Sequence, residues 1–175
     1  MKMRLAIVAF PVFDGAVLDE IQAFRSKHDP QFSLLAPHFT LVFPVEGVVA
    51  DVLAEATAAA KAVRRFSFAL TSARAVRDVL GSGGHVFLIP EDGATSVREL
   101  HARLYSGVLR ESLRGDIPYV PHITVAADSS FERCGALASA LDVADRPKFG
   151  RVEALTVVAL PGEGIEEVAR HSLAG

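Results

Sequence analysis

Pro37-His38-Phe39-Thr40-Leu41 returns 84 residues later as Pro121-His122-Ile123-Thr124-Val125, in a chain of 175 residues. On an extended backbone, residues two apart point to the same face, so each histidine shares a face with its threonine. The apolar residues between and after them, Phe39, Leu41, Ile123 and Val125, go to the opposite, buried face. Two such pairs brought together offer two imidazoles and two hydroxyls to one cleft. The imidazoles can serve as base and acid on opposite sides of a phosphorus centre, each transfer being worth roughly 100- to 10,000-fold in rate. The hydroxyls can hydrogen-bond non-bridging phosphate oxygens and hold the group in line for attack. No metal is needed for that chemistry. A single histidine at a strand start has a structural explanation, and threonine is a common β-former. It is the matched repetition that favours function.

The elements that must position these motifs come in a repeated order. Arg4 to Phe10 reads as a buried strand stopped by Pro11, and Asp14 as the cap of a helix from about Ala16 to Lys27. A strand from His38 to Pro44, an alanine-rich helix from Asp51 to Arg65 and a strand from Phe66 to Val76 complete the first half. The second half repeats it. Val86 to Pro90 reads as a strand, Ser96 to Leu113 as a helix with Val97, Leu100, Leu104 and Val108 in its apolar stripe, and His122 to Ala127 as a strand. Phe131 to Leu141 follows as a helix and Arg151 to Leu160 as one long strand. Ile165 to Leu173 reads as an edge strand or a helix, and Gly81-Ser82-Gly83-Gly84 as a turn between the halves. The expectation is an α+β fold of two duplicated βαβαβ-like units, lobe 1 roughly 1–80 and lobe 2 roughly 84–175. The lobes pack as a single domain over 1–175, with the His-Thr strands adjacent at a pseudo-two-fold axis.

Two HxT-type motifs on apolar strands half a chain apart resemble the 2H phosphoesterase superfamily. That group includes the 2′-5′ RNA ligase-like proteins, cyclic phosphodiesterases and the small YjcG-like proteins. The N-terminal half, from Arg4-Leu5-Ala6-Ile7-Val8 through Asp29-Pro30 to Pro44, most resembles the last of these. The resemblance implies a bilobal fold with mainly antiparallel sheets around a central cleft. It also implies cofactor-free action on 2′,3′-cyclic phosphate or 2′-5′ phosphodiester bonds, in RNA ends or small nucleotides. Catalysis is carried onto His38 and His122 and phosphate binding onto Thr40 and Thr124. Tyr119 is implied as lining for a base or sugar pocket, and Arg114 as a basic residue upstream of the second motif that helps with phosphate. The alternative is a non-catalytic module holding RNA ends or phosphorylated metabolites in the same cleft.

Composition narrows the classes. A net charge of −3 and the lack of tryptophan argue against an extended nucleic-acid groove. Cys134 is the only cysteine, so no intrachain disulfide forms, and it reads as a small core residue. There is no H-E-x-x-H, and no zinc site is expected. The first apolar run is too short for a signal peptide, no stretch has the length of a membrane helix, and a cytoplasmic location is expected. His28, His85, His101 and His171 read as surface or incidental. Arg98, Arg103, Arg110 and Arg114 read as a solvated face. Oligomeric state is left open.

Overall fold

Each motif strand buries one face and leaves the other bare, and the architecture follows from that. The computed structural model describes residues 1–79, 81–141 and 143–175; residue 80, the expected end of lobe 1, lies outside them. The strands are β1 (Lys2–Ala9), β2 (Val12–Phe13), β3 (Phe39–Val48), β4 (Phe66–Arg77), β5 (Gly84–Pro90), β6 (Ile123–Asp128), β7 (Lys148–Val152), β8 (Ala154–Ala159) and β9 (Glu166–Ser172). The helices are α1 (Val17–His28), α2 (Val49–Ala62), α3 (Ala94–Leu104) and α4 (Phe131–Ala140), with a short 3₁₀ turn at Arg110–Ser112. None of the helices is long and apolar enough to cross a membrane.

The strands form one antiparallel sheet in the order β2-β7-β4-β5-β6-β3-β1-β8-β9. The motif strands β3 and β6 lie side by side at its centre. The order is symmetric about them: β5 answers β1, β4 answers β8, and β7 answers β9. Each sequence half therefore sends its last strand across. β4 pairs with β5, while β8 pairs with β1, so each wing of the sheet draws on both halves of the chain.

All four helices cover one face. Ile21 of α1, Val52 and Ala56 of α2, Leu100 and Leu104 of α3 and Cys134 of α4 join Phe39, Leu41, Ile123 and Val125 in one apolar core. Phe39, Leu41 and Ile123 are wholly buried there. Each such side chain contributes about 1.5–3 kcal/mol. Among the described residues, the buried apolar patch on the other face is small and lies on one wing, Ala6, Val8 and Val158 with Phe10, Leu160 and Ile165 against it.

Several boundaries differ from expectation for local reasons. The third helix ends at Leu104, not Leu113, because Ser106-Gly107 breaks away and leaves Val108 exposed. The carboxylate of Glu55, on α2, accepts the Val108 N–H at 2.8 Å, and a Cβ on Gly107 would lie 1.7 Å from that same Glu55 oxygen. The expected strand 151–160 is two strands on opposite wings. Val152 pairs with Phe66 and Leu155 with His171, while the Glu153 carbonyl between them accepts from Leu173 N–H. Asp14 does not cap α1 with its side chain; the carboxylate takes Arg151 Nη1 at 3.1 Å. The tail is an edge strand. Gly83 and Gly84 open β5, where Cβ atoms would lie 2.3 Å from the Asp128 carbonyl oxygen and 2.6 Å from that of Val76. They let β5 thread between its neighbours, which is more than a turn requires.

Candidate active site

β3 and β6 meet in one antiparallel bridge, Phe39 opposite Ile123. In an antiparallel pair, the residue before one partner lies across from the residue after the other. His38 therefore faces Thr124, and Thr40 faces His122. All four lie on the bare face, because Phe39 and Ile123 fill the core. Each histidine is thus set against the threonine of the other motif, around a pseudo-two-fold axis through the bridge.

The two imidazoles are held in the same way. His38 Nδ1 lies 2.8 Å from the Ala36 carbonyl oxygen, and His122 Nδ1 lies 2.7 Å from that of Val120. A carbonyl only accepts, so Nδ1 carries the proton and donates it. That fixes the tautomer and leaves Nε2 with its lone pair. Pro37 and Pro121, both buried, stiffen the turn from the carbonyl to the ring.

Their surroundings differ. His122 stacks on Phe87 of β5 with ring centres 3.6 Å apart and planes 13° apart. His38 meets Phe10 edge-on at 6.0 Å. Burial pushes His122 down to about 4; the charges of His38 and His85 lower it further, against the Val120 hydrogen bond. Burial also lowers His38; the Ala36 bond opposes this, Arg25 adds to it and Asp29 opposes it. Both rings are neutral in the free protein at pH 7.

Behind His38 is a feature that sequence reading missed. Arg25, 1% exposed, donates through Nε to Asp29 Oδ2 at 2.7 Å, through Nη1 to Gln22 Oε1 at 2.8 Å and through Nη2 to the Leu35 carbonyl at 2.8 Å. Asp29 Oδ1 accepts the Gln31 N–H at 2.9 Å. This buried ion pair staples the segment that delivers Pro37-His38. The available signal was Arg25 and Asp29 at helical i,i+4 spacing just before Pro30.

Beyond the single bridge, β3 takes side-chain partners for its backbone. Tyr119 donates its hydroxyl to the Thr40 carbonyl at 2.8 Å, and His101 Nδ1 bonds the Leu41 carbonyl at 2.8 Å. Tyr105 Oη accepts the Phe43 N–H at 3.3 Å. The Tyr119 and His101 rings stack at 3.7 Å and 3°. Burial raises the Tyr119 phenol and lowers His101, so both stay neutral braces. His101 is therefore no incidental histidine. His85 lies on the site face beside Phe87, and His171 is tucked against Thr57 of α2. Tyr119 holds the backbone of the motif strand through its hydroxyl. Arg114 is exposed and paired bidentately with Asp116 at 2.8 and 2.9 Å, and does not reach toward the histidines in this state. The expected burial of Cys134 holds. Cavities of about 310 Å³ at Ser26–Pro30 and Arg133, and about 250 Å³ between α1 and Val143, lie off this face. The candidate site lies on the bare face of the sheet.

The family model of the 2′-5′ RNA ligase superfamily matches residues 13–163, most of the chain and both motifs. The chain belongs to this superfamily, the 2H phosphoesterases. A relative from Bacillus licheniformis, bearing the name "Putative phosphoesterase", is 27% identical over 127 residues, 71% of this chain and 70% of its own. One of the same name from Oceanobacillus iheyensis is 26% identical over 129 residues, covering 72% and 71%. Among solved structures, TT0787 of Thermus thermophilus aligns over 99% of both chains at TM-score 0.64 and 24% identity. E. coli LigT complexed with 3′-AMP aligns over 100% of both at TM-score 0.61 and 21% identity. These likenesses establish the α+β fold expected from the repeat.

Proposed function

We propose that the protein is a metal-independent phosphoesterase acting on 2′,3′-cyclic phosphate or 2′-5′ phosphodiester bonds of RNA ends or small nucleotides. The observation that carries this reading is the diagonal arrangement of two Nδ1-anchored imidazoles and two threonines about the Phe39–Ile123 bridge. Superfamily membership and the 3′-AMP complex of LigT support the substrate class.

In hydrolysis, the Nε2 lone pair of one histidine removes a proton from water as its oxygen attacks phosphorus. The P–O bond to the ribose hydroxyl breaks on the opposite side, and the other histidine, protonated, supplies that oxygen with its proton. Thr40 and Thr124 donate to the non-bridging oxygens, where charge accumulates. Burial lowers both histidines, and reversal of the reaction exchanges the roles of base and acid between them. A bound phosphate anion raises both histidines, so the proton arrives with the substrate.

The test is turnover of 2′,3′-cyclic nucleotides, cyclic-ended oligoribonucleotides and 2′-5′ dinucleotides by wild type, His38→Ala and His122→Ala. The expected result is turnover on one of these classes and a loss of about 100-fold or more in each variant. Wild-type rates in both variants would sink the reading. Tight binding without turnover would establish the binding module instead.

A further inference from the structure

The bare face of the sheet differs sharply between its wings. Rows of cross-strand partners point side chains to one face. On the His122 wing, Thr124 is paired with Phe87, and Phe87 is paired with Arg74 of β4. Arg74 therefore stands in the same row as the Thr124 hydroxyl, two strands away, roughly 10 Å at ordinary strand spacing. The opposite face of these strands is the core: Val86 and Leu88 are buried, with Ala73 and Ala75 packed against them. Arg74 is exposed and has no hydrogen bond or ion pair among the described residues. Phe87 stands beside it in the row and stacks on His122, with His85 two residues along the same strand face.

On the other wing, among the described residues, the row of the first threonine holds no arginine two strands away. That row runs from Thr40 through Val8 and Thr156 to Arg170. That arginine is three strands from its threonine, roughly 14 Å. Glu167, paired with Val158, stands on the same face. The floor between is Ala6, Val8 and Val158.

We propose that Arg74 anchors a second phosphate of the substrate on the His122 wing, one position removed from the phosphate held by the threonines. The uncharged part on the other side of the scissile bond lies over the apolar wing. A guanidinium suits this task because its planar fork meets a phosphate with two parallel hydrogen bonds. This inference rests on the proposed nucleotide reading of the cleft and narrows it. The substrate is a nucleotide phosphorylated twice or an oligonucleotide end, rather than a lone nucleoside cyclic phosphate.

The experiment is binding of adenosine 3′-monophosphate and adenosine 3′,5′-bisphosphate, by calorimetry at low salt, to wild type, Arg74→Gln, Arg74→Lys and Arg170→Gln. Wild type should prefer the bisphosphate by about tenfold, the size of one charge-assisted contact. Arg74→Gln should bring the ratio close to one, Arg74→Lys should keep part of it, and Arg170→Gln should preserve it. The proposal is overturned by no preference in wild type, by a preference that survives in Arg74→Gln, by equal loss in Arg170→Gln or by no binding of either nucleotide. Because the readout is binding, absence of turnover on cyclic phosphates would refute the phosphoesterase reading while leaving this ratio to stand or fall separately.

Discussion

The two motif copies share a backbone device and differ in nearly everything around it. Each histidine is fixed by donating Nδ1–H to the carbonyl two residues earlier, and each is preceded by a buried proline. Yet His122 is pressed against the face of Phe87, whereas His38 touches Phe10 only edge-on and has the Arg25–Asp29 pair behind it. The two copies share the orientation of their Nε2 atoms and differ in their neighbours. The two imidazoles are both lowered by burial but sit among different neighbours, a ring face at His122 and an ion pair behind His38.

The largest effect is expected from removing the Arg25–Asp29 staple behind His38. Asp29→Ala leaves the Arg25 guanidinium buried without its carboxylate, and should cost about 3–5 kcal/mol in urea unfolding. An exposed carboxylate such as Asp116, at 64% exposure, should cost little when replaced. Equal effects would mean that the buried pair does not anchor the His38 segment.

The second concerns the ring over His122. Phe87→Leu admits water and should raise the His122 titration from about 4 toward its ordinary 6.5, by one unit or more, in an NMR titration. Phe10→Leu should move His38 less. The sign for stability follows from proton linkage. A histidine lowered in the folded state binds protons more readily when unfolded, so the wild type loses stability as pH falls from 6.5 toward 4. Phe87→Leu should flatten that loss. An unchanged His122 titration would remove the proposed source of inequivalence.

The smallest expected effect is at the brace. Tyr119→Phe keeps the stack on His101 but leaves the Thr40 carbonyl without its donor, and should cost about 1 kcal/mol. A neutral substitution would show that water replaces the hydroxyl freely.

Much of this was legible in the chain. Alternation around His38 and His122 placed Phe39, Leu41, Ile123 and Val125 in the core, and the spacing of the motifs announced the symmetric centre of the sheet. What could not be read depends on register between distant strands. Nothing in Arg74 or Phe87 as residues says that they share a row with Thr124. Nor does the run Val152 to Ala159 carry a glycine or proline to mark where the chain leaves one wing for the other. His101 and Tyr119 were hard to place because their partners are backbone groups of β3, freed by a pairing with β6 that is only one bridge long.

In the proposed reaction the two histidines act as one unit across that bridge. The most direct test is kcat/KM for a 2′,3′-cyclic nucleotide in His38→Ala, His122→Ala and the double variant. Groups that share one transition state are non-additive, so the double variant should be about as slow as either single one. Single-variant losses that multiply in the double variant would mean two independent contributions, and would contradict the paired site.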